Sequence, residues 1–176
     1  IGIDYYWVDV AEPGYAVYDF ENYRYHAGTA VESGNLYPNG YLKMVYDGNK
    51  DSNEAVVTLV RGAWAGAQKY GALAWSGDID SSFEAFHNQV NSGLNMGMAG
   101  IPWWTTDIGG FHGGNPEDPE FRELMVRWFQ YSTFSPILRM HGDRLPHSKP
   151  LSNSGGGSMP TGAPNEIWSY GSEAEV

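Results

Sequence analysis

Two carboxylates stand where buried strands are expected to end. Asp9 lies near the end of the apolar run Ile1–Val10, and Asp78 follows the shorter run Gly71–Trp75. In a sheet of parallel strands, such positions carry side chains to the edge at which active sites form. Two acids at that edge can cleave a glycosidic bond, because one attacks the sugar while the other protonates the departing oxygen.

Apolar runs alternate with amphipathic segments along the chain. Strands are predicted at Ile1–Val10, Ala55–Val60, Gly71–Trp75, Ala99–Thr105 and Ile137–Met140, and helices near residues 39–47, 82–95 and 119–131. This alternation indicates parallel βαβ units. Polar residues that follow strand ends are typical of the (β/α)8 TIM-type barrel, which has eight strands. The sequence therefore predicts an α/β fold that supplies roughly the second half of such a barrel, about five β/α units.

The domain prediction is a partial catalytic barrel over residues 1–176. The chain starts without Met, and its last residues resemble the opening of a helix, so we expect truncation at both ends. The expected partner is the remaining set of barrel strands in the same polypeptide. Two long loops are predicted, an ordered and functional one at Tyr15–Pro38 and a flexible one at Lys149–Asn165.

Composition and charge narrow the class of ligand. A chain that is 41% hydrophobic and 15% aromatic has the material for a folded core. The net charge of −11, with ten Lys and Arg, argues against nucleic acid, and a neutral glycoside or oligosaccharide fits better. No run approaches the roughly 18 apolar residues of a membrane span. No spacing of His residues predicts a metal site, no cofactor is expected, and the absence of Cys leaves the compartment open.

Five motifs occur in an order that resembles glycoside hydrolase family 31, the retaining α-glucosidase and α-xylosidase group. They are Trp7–Pro13, Arg61–Gly66, Trp75–Asp78, Gly100–Phe111 and Arg139–Gly142. Each motif is weak alone, but the five together in this order are specific. The resemblance covers nearly the whole chain and implies the catalytic half of a barrel.

The resemblance implies a role for each matching residue. Asp9 corresponds to the nucleophile and Asp78 to the general acid/base of a double displacement, for which the two carboxyl groups should lie about 5–5.5 Å apart. Arg61, Asp107 and His141 correspond to positions that contact the sugar in the subsite of the cleaved residue. Further residues are expected to line the pocket or support it: Trp75, Trp104 and Phe111 as lining, Glu12 and Arg139 as support.

Other interpretations stay open from the sequence. An Asp after a strand is often a helix cap or turn former, Arg61 fits a structural ion pair, and His141 fits a buried, hydrogen-bonded histidine. The protein-level alternatives are a non-catalytic carbohydrate-binding remnant of a barrel, or an α-galactosidase of the same family. The choice among glucose, xylose and galactose, and the linkage cleaved, are not set by these 176 residues.

Overall fold

The computed structural model describes residues 5–10, 23–52, 55–145 and 165–174. Its strands and helices are, in order, β1 (Tyr5–Val8), β2 (Arg24–Tyr25), β3 (Gly28–Thr29), α1 (Ala30–Ser33), α2 (Leu36–Asn49), β4 (Val57–Val60), β5 (Ala72–Trp75), α3 (Phe83–Met98), β6 (Trp104–Thr105) and α4 (Pro119–Ser132). The chain forms two units: Ile1–Trp75 with Met96–Trp104, and Ser76–Asn95 with Thr105–Val176. No helix of the described ranges is long and apolar enough to cross a membrane.

The first unit contains β1, β4, β5 and the first residue of β6, in a sheet with the order β1-β4-β5-β6. Strands β1 and β4 run parallel with Val8 opposite Val60, and β4 and β5 run parallel with Val60 opposite Ala74. All four residues of β5 are buried, as expected for a strand that is covered on both faces. Because β1 and β4 end side by side, the residues that follow them leave the sheet at the same edge.

Helix α2 provides the core that covers this sheet. Leu42 is buried in a cluster with Val60, Ala67 and Ala72. The helix begins at Leu36, three residues before the predicted start, because Pro38 lies in its first turn. A proline is tolerated there, since the backbone N–H groups of the first turn have no partner within the helix.

The predicted loop Tyr15–Pro38 contains regular structure in its described part. Strands β2 and β3 form an antiparallel pair, and α1 follows directly. Thr29 caps α1 by accepting the N–H of Glu32, whose carboxylate accepts the N–H of Thr29 in return. This Thr-x-x-Glu pattern is a capping box that the sequence analysis missed. Residues 15–22 lie outside the described ranges.

The second unit is built on α3 and α4. The Oγ of Ser82 accepts the N–H of Ala85 at 3.1 Å, so Ser82 caps α3, which begins one residue after its predicted start. Helix α4 begins after Asp118, which accepts the N–H of Glu120 at 3.0 Å. The apolar face of α4 is buried in one cluster: Phe121, Leu124, Met125 and Trp128 with Ile108, Tyr170 and Ala174.

Four of the five predicted strands form, Ala99–Thr105 only over its last two residues, and Ile137–Met140 does not form one. This segment makes single contacts instead. The carbonyl of Ile137 accepts the Thr105 hydroxyl at 3.0 Å, and the carbonyl of Arg139 accepts the N–H of Ile108 at 3.2 Å. Strand β6 ends at Thr105 and is only two residues long, so it is too short to pair with residues 137–140 along their length. Nearly all of the predicted loop Lys149–Asn165 lies outside the described ranges.

Candidate active site

Asp9 leaves the sheet directly after β1, and the backbone that follows it is strained. Val10 has a φ of +54°, the only non-glycine residue of the described ranges with a positive φ. A β-branched residue avoids this conformation, which costs about 1–2 kcal/mol. In it, the N–H of Val10 donates to Oδ1 of Asp9 at 2.8 Å. The strain therefore accompanies a hydrogen bond that fixes one carboxylate oxygen.

Arg61 reaches the same oxygen from the neighbouring strand. Its Nη1 lies 3.4 Å from Oδ1 of Asp9. The pairing of Val8 with Val60 places the two following residues next to each other. The side chains are 47% and 24% exposed for Asp9 and Arg61, so water screens the attraction and the pair contributes little to stability. Its effect is to orient the carboxylate.

Two tryptophans of the first unit meet near this edge. The rings of Trp7 and Trp75 contact edge to face, with centroids 6.3 Å apart. Trp75 is buried, whereas Trp7 is more than half exposed. Trp104 of the same unit is also buried, and its Nε1 has no hydrogen-bond partner among the described residues. A tryptophan side chain is apolar over its ring but carries one N–H donor, so it is suited to pack against a sugar ring that carries hydroxyl groups.

Asp107 is the most deeply buried acid of the second unit that the structure describes, with no exposed surface. Arg139 donates from Nε to Oδ1 of Asp107 at 2.7 Å. Burial raises the pKa of Asp107 above its ordinary 3.8, and the hydrogen bond from Arg139 opposes this rise. Within the described ranges Oδ2 has no hydrogen-bond partner. A buried acceptor of this kind is suited to a hydroxyl donor of a ligand.

The surroundings of the Asp107–Arg139 pair include three further predicted site residues: His141, Phe111 and Asp78. The ring of Phe111 lies 5.5 Å from that of His141, which is partly buried. Burial lowers the pKa of His141 below 6.5, and the charges of Asp107 and Asp78 oppose this effect. Asp78 is exposed and follows Gly77, whose φ of +77° turns the chain after β5. The charge of Asp78 also raises the pKa of Asp107.

The structure thus brings the predicted residues together in two groups. Asp9 and Arg61 form an ion pair in the first unit, whereas Asp78, Asp107, Arg139, His141 and Phe111 belong to the second. Glu12 lies outside the described ranges. In those ranges no group of three His, Asp or Glu side chains could hold a metal ion.

Two residues that the sequence analysis missed contact these groups. Val10 fixes the carboxylate of Asp9, and Arg144 is a fully buried guanidinium that binds the carbonyls of Ile108 and Gly110. The sequence offered one signal for Arg144, an arginine two residues after Gly142. No local pattern marks a strained Val10.

Known proteins have sequences similar to that of this chain. The model of the glycosyl hydrolases family 31 TIM-barrel domain matches residues 1–174. The chain belongs to glycoside hydrolase family 31. The predicted resemblance and fold class are confirmed, so the parallel strands β1, β4 and β5 are part of a TIM-barrel domain.

Two relatives in family 31 have names that give different activities. The chain is 60% identical over 146 residues to an uncharacterized family 31 glucosidase of Pseudescherichia vulneris, covering 82% of the chain and 28% of that protein. It is 45% identical over 152 residues to an alpha-xylosidase of Saccharolobus solfataricus, covering 83% of the chain and 21% of that protein.

A solved structure extends the comparison to the fold. The crystal structure of a family 31 alpha-xylosidase from a soil metagenome, complexed with xylose, matches with a TM-score of 0.87 and 56% identity. The match covers 98% of the chain and 26% of that protein. The chain therefore spans about a quarter of the length of these family 31 relatives.

Proposed function

We propose that the polypeptide containing this chain is a retaining α-glycoside hydrolase that releases a non-reducing-end α-linked glucose or xylose. The observation that carries the proposal is the carboxylate of Asp9, held through Oδ1 by Val10 and Arg61 where β1 leaves the parallel sheet. Active sites of this fold form at that edge of the strands. Membership of family 31 supports a reaction at a glycosidic bond.

In the proposed first step, the carboxylate of Asp9 attacks the anomeric carbon from the β face. Asp78, protonated at the start, gives its proton to the glycosidic oxygen as the bond to the aglycone breaks. This yields a β-linked glycosyl ester on Asp9. In the second step Asp78 removes a proton from water, which attacks from the α face and releases the sugar and the Asp9 carboxylate. The separation of 5–5.5 Å expected for this mechanism stays a prediction.

Asp107 and His141 are proposed to bind the hydroxyl groups of the sugar, with Arg139 in support of Asp107. Oδ2 of Asp107, which has no hydrogen-bond partner among the described residues, would accept one hydroxyl, while Arg139 keeps Oδ1 occupied. A buried group of this kind rejects a sugar that lacks the matching hydroxyl, since the oxygen would then stay unpaired. Arg61 is proposed as a further contact, Trp75, Trp104 and Phe111 as the apolar lining, and Glu12 as a supporting carboxylate.

An α-xyloside is the first substrate to test. Two of the relatives above are named alpha-xylosidases, and one of them was solved with xylose. A glucoside is the second, because another relative is named a family 31 glucosidase. An α-galactoside serves as the comparison sugar, since its C4 hydroxyl has the opposite configuration.

The test uses the complete polypeptide and two trapping reagents, the 5-fluoro α-xylosyl and α-glucosyl fluorides. We expect a mass increase of one fluorosugar, mapped to the peptide that contains Asp9, and no adduct on Asp9→Ala. Azide should partly restore activity to Asp9→Ala and give the β-glycosyl azide, whereas Asp78→Ala with azide should give the α-azide. An adduct on another carboxylate would remove Asp9 from its role. Absence of both adduct and turnover would favour a carbohydrate-binding remnant.

A further inference from the structure

We propose that Arg144 is a positioning residue that ties together the three loops bearing Asp78, Asp107 and His141. The inference rests on the proposed function, because those three residues are assigned to the acid/base and sugar-binding roles. Arg144 touches neither the carboxyl groups that react nor the sugar in this assignment. Its influence acts through the backbone of the second unit.

The guanidinium of Arg144 binds two of these loops directly. The side chain has no exposed surface. Nη1 donates to the carbonyl of Gly110 at 2.7 Å, and Nη2 donates to the carbonyl of Ile108 at 2.9 Å. Both carbonyls belong to the turn that follows Asp107. Nη1 also donates at 3.2 Å to the hydroxyl of Ser81, three residues after Asp78.

The third loop, residues 139–143, also packs closely against the guanidinium of Arg144. Nη2 lies 3.5 Å from the carbonyl oxygen of His141. A Cβ added to Gly142 would come within 2.7 Å of the Arg144 Cζ, and one added to Gly109 within 3.0 Å of Nη2. The loops therefore approach the guanidinium more closely than other residue types would allow. The ring of Phe121 lies against its Cζ at 5.0 Å and completes the enclosure.

The chemistry of arginine explains why this position needs a guanidinium. Its planar fork carries five N–H donors with fixed directions, so one side chain can bind oxygens on several chain segments at once. A lysine would offer three donors from one atom on a flexible stem and could not span the same carbonyls. A buried cation that loses these partners would also force the loops apart to reach water.

A role in stability alone is the alternative, and kinetics can separate the two. Arg144→Lys and Arg144→Met are compared with Trp128→Leu, a control at a fully buried residue of the same unit that packs on Phe86 of α3. All are assayed below their melting temperatures. We expect the Arg144 variants to lose about 10²-fold in kcat, since small misplacements of reacting groups have effects of this size. Trp128→Leu should keep kcat within about threefold at a comparable loss of Tm.

The dependence on leaving group gives a signature that stability would not change. If the loop of Asp78 shifts, protonation of the leaving oxygen suffers, so phenyl glycosides should lose more than 4-nitrophenyl glycosides. Ser81→Ala removes one bond to Arg144 and should show the same pattern with a loss of about threefold on the phenyl substrate. Should both Arg144 variants fail to fold, wild-type rates in Ser81→Ala on both substrates would overturn the proposal.

Hydrogen exchange tests Arg144 without turnover. In Arg144→Lys, faster exchange is expected in the segments 78–82, 107–114 and 139–143, and in Trp128→Leu it is expected in α3 and α4. A wild type that traps no fluorosugar and hydrolyses no substrate would refute the proposed function, while this exchange pattern would still decide the loop-tying role. If a folded Arg144→Lys variant exchanges at the wild-type rate in all three segments, the proposed role of Arg144 is overturned.

Discussion

Val10 donates its backbone N–H to Oδ1 of Asp9 at 2.8 Å from a left-handed conformation with φ of +54°. Arg61 approaches the same oxygen to 3.4 Å. One carboxylate oxygen of Asp9 thus has two positively polarised neighbours, one from its own strand end and one from the adjacent strand. Backbone strain beside the proposed nucleophile is consistent with a conformation that is kept for orientation.

Val10→Gly should preserve the site and remove the strain. Glycine adopts a positive φ without a Cβ clash, which relieves about 1–2 kcal/mol, and its greater freedom in the unfolded chain offsets up to about 1 kcal/mol. We expect Tm to stay unchanged or rise slightly, and the rate of fluorosugar trapping to stay near wild type. Val10→Pro removes the N–H donor and should abolish trapping.

Val8→Gly is the matched control for Val10→Gly, because Val8 lies in the extended strand β1 and packs against the core. There glycine loses packing and strand preference, so Tm should fall. Differential scanning fluorimetry compares the two variants. The same fall in Tm at both positions would show that the conformation of Val10 is not strained in the protein.

Arg61→Met should affect catalysis far more than stability. Because both side chains of the Asp9–Arg61 pair are partly exposed, its loss should change the free energy of unfolding by about 1 kcal/mol or less. Loss of orientation should slow fluorosugar trapping by about 10²-fold. Arg127→Met removes an exposed ion pair with Glu123 on α4 and should leave trapping unchanged. Similar trapping rates in both variants would show that Arg61 matters no more for trapping than an exposed ion-pair residue such as Arg127.

The sequence predicts the elements whose signals are local. Apolar runs locate β1, β4 and β5, and helical periodicity over residues 119–131 locates α4 to within one residue of its observed end. These strands place Asp9, Arg61 and the Gly77-Asp78 turn after strand ends, as predicted. Local patterns suffice here, because a buried strand and a capped helix can each be recognised from the residues of that segment alone.

What the sequence did not predict depends on contacts between distant segments. Ile137–Met140 has the composition of a strand, but a strand also needs a partner, and β6 is only two residues long. Arg144 looks like a surface charge until the turns of Gly109 and Gly142 close around it. The conformation of Val10 is equally hidden, since valine favours extended backbone. Long-range packing decides each of these features.

Arg139→Met should destabilise the protein strongly at neutral pH. Asp107 has no exposed surface, and without Arg139 its carboxylate would be a buried charge that lacks its partner. Removing one member of a buried ion pair typically costs about 3–5 kcal/mol. Burial already raises the pKa of Asp107, and loss of Arg139 removes the group that opposes this rise. The destabilisation should therefore shrink as the pH falls and Asp107 becomes protonated.

The measurement for Arg139→Met is the difference in Tm between variant and wild type as the pH is lowered from neutral toward the ordinary pKa of Asp107, 3.8. Arg139→Met combined with Asp107→Asn should recover much of the stability at neutral pH, because the charge is gone. A Tm difference that does not vary with pH, and no recovery in the double variant, would mean that Asp107 is not a buried carboxylate in the folded protein.

His141 should make the stability of the protein fall in mildly acidic solution. Burial lowers the pKa of His141 below its ordinary 6.5, so the unfolded chain binds a proton at this residue more readily than the folded chain. Its contribution to stability is therefore complete above pH 6.5 and is lost as the pH falls from 6.5 toward the lowered folded-state pKa, below which the loss is constant. His141→Gln cannot take up this proton, so the difference in Tm between wild type and variant should narrow or reverse over that window.

His87→Gln, at an exposed position on α3, is the control and should follow the wild type throughout. Parallel pH profiles for wild type and His141→Gln would show that His141 is as accessible to protons in the folded protein as in the unfolded chain.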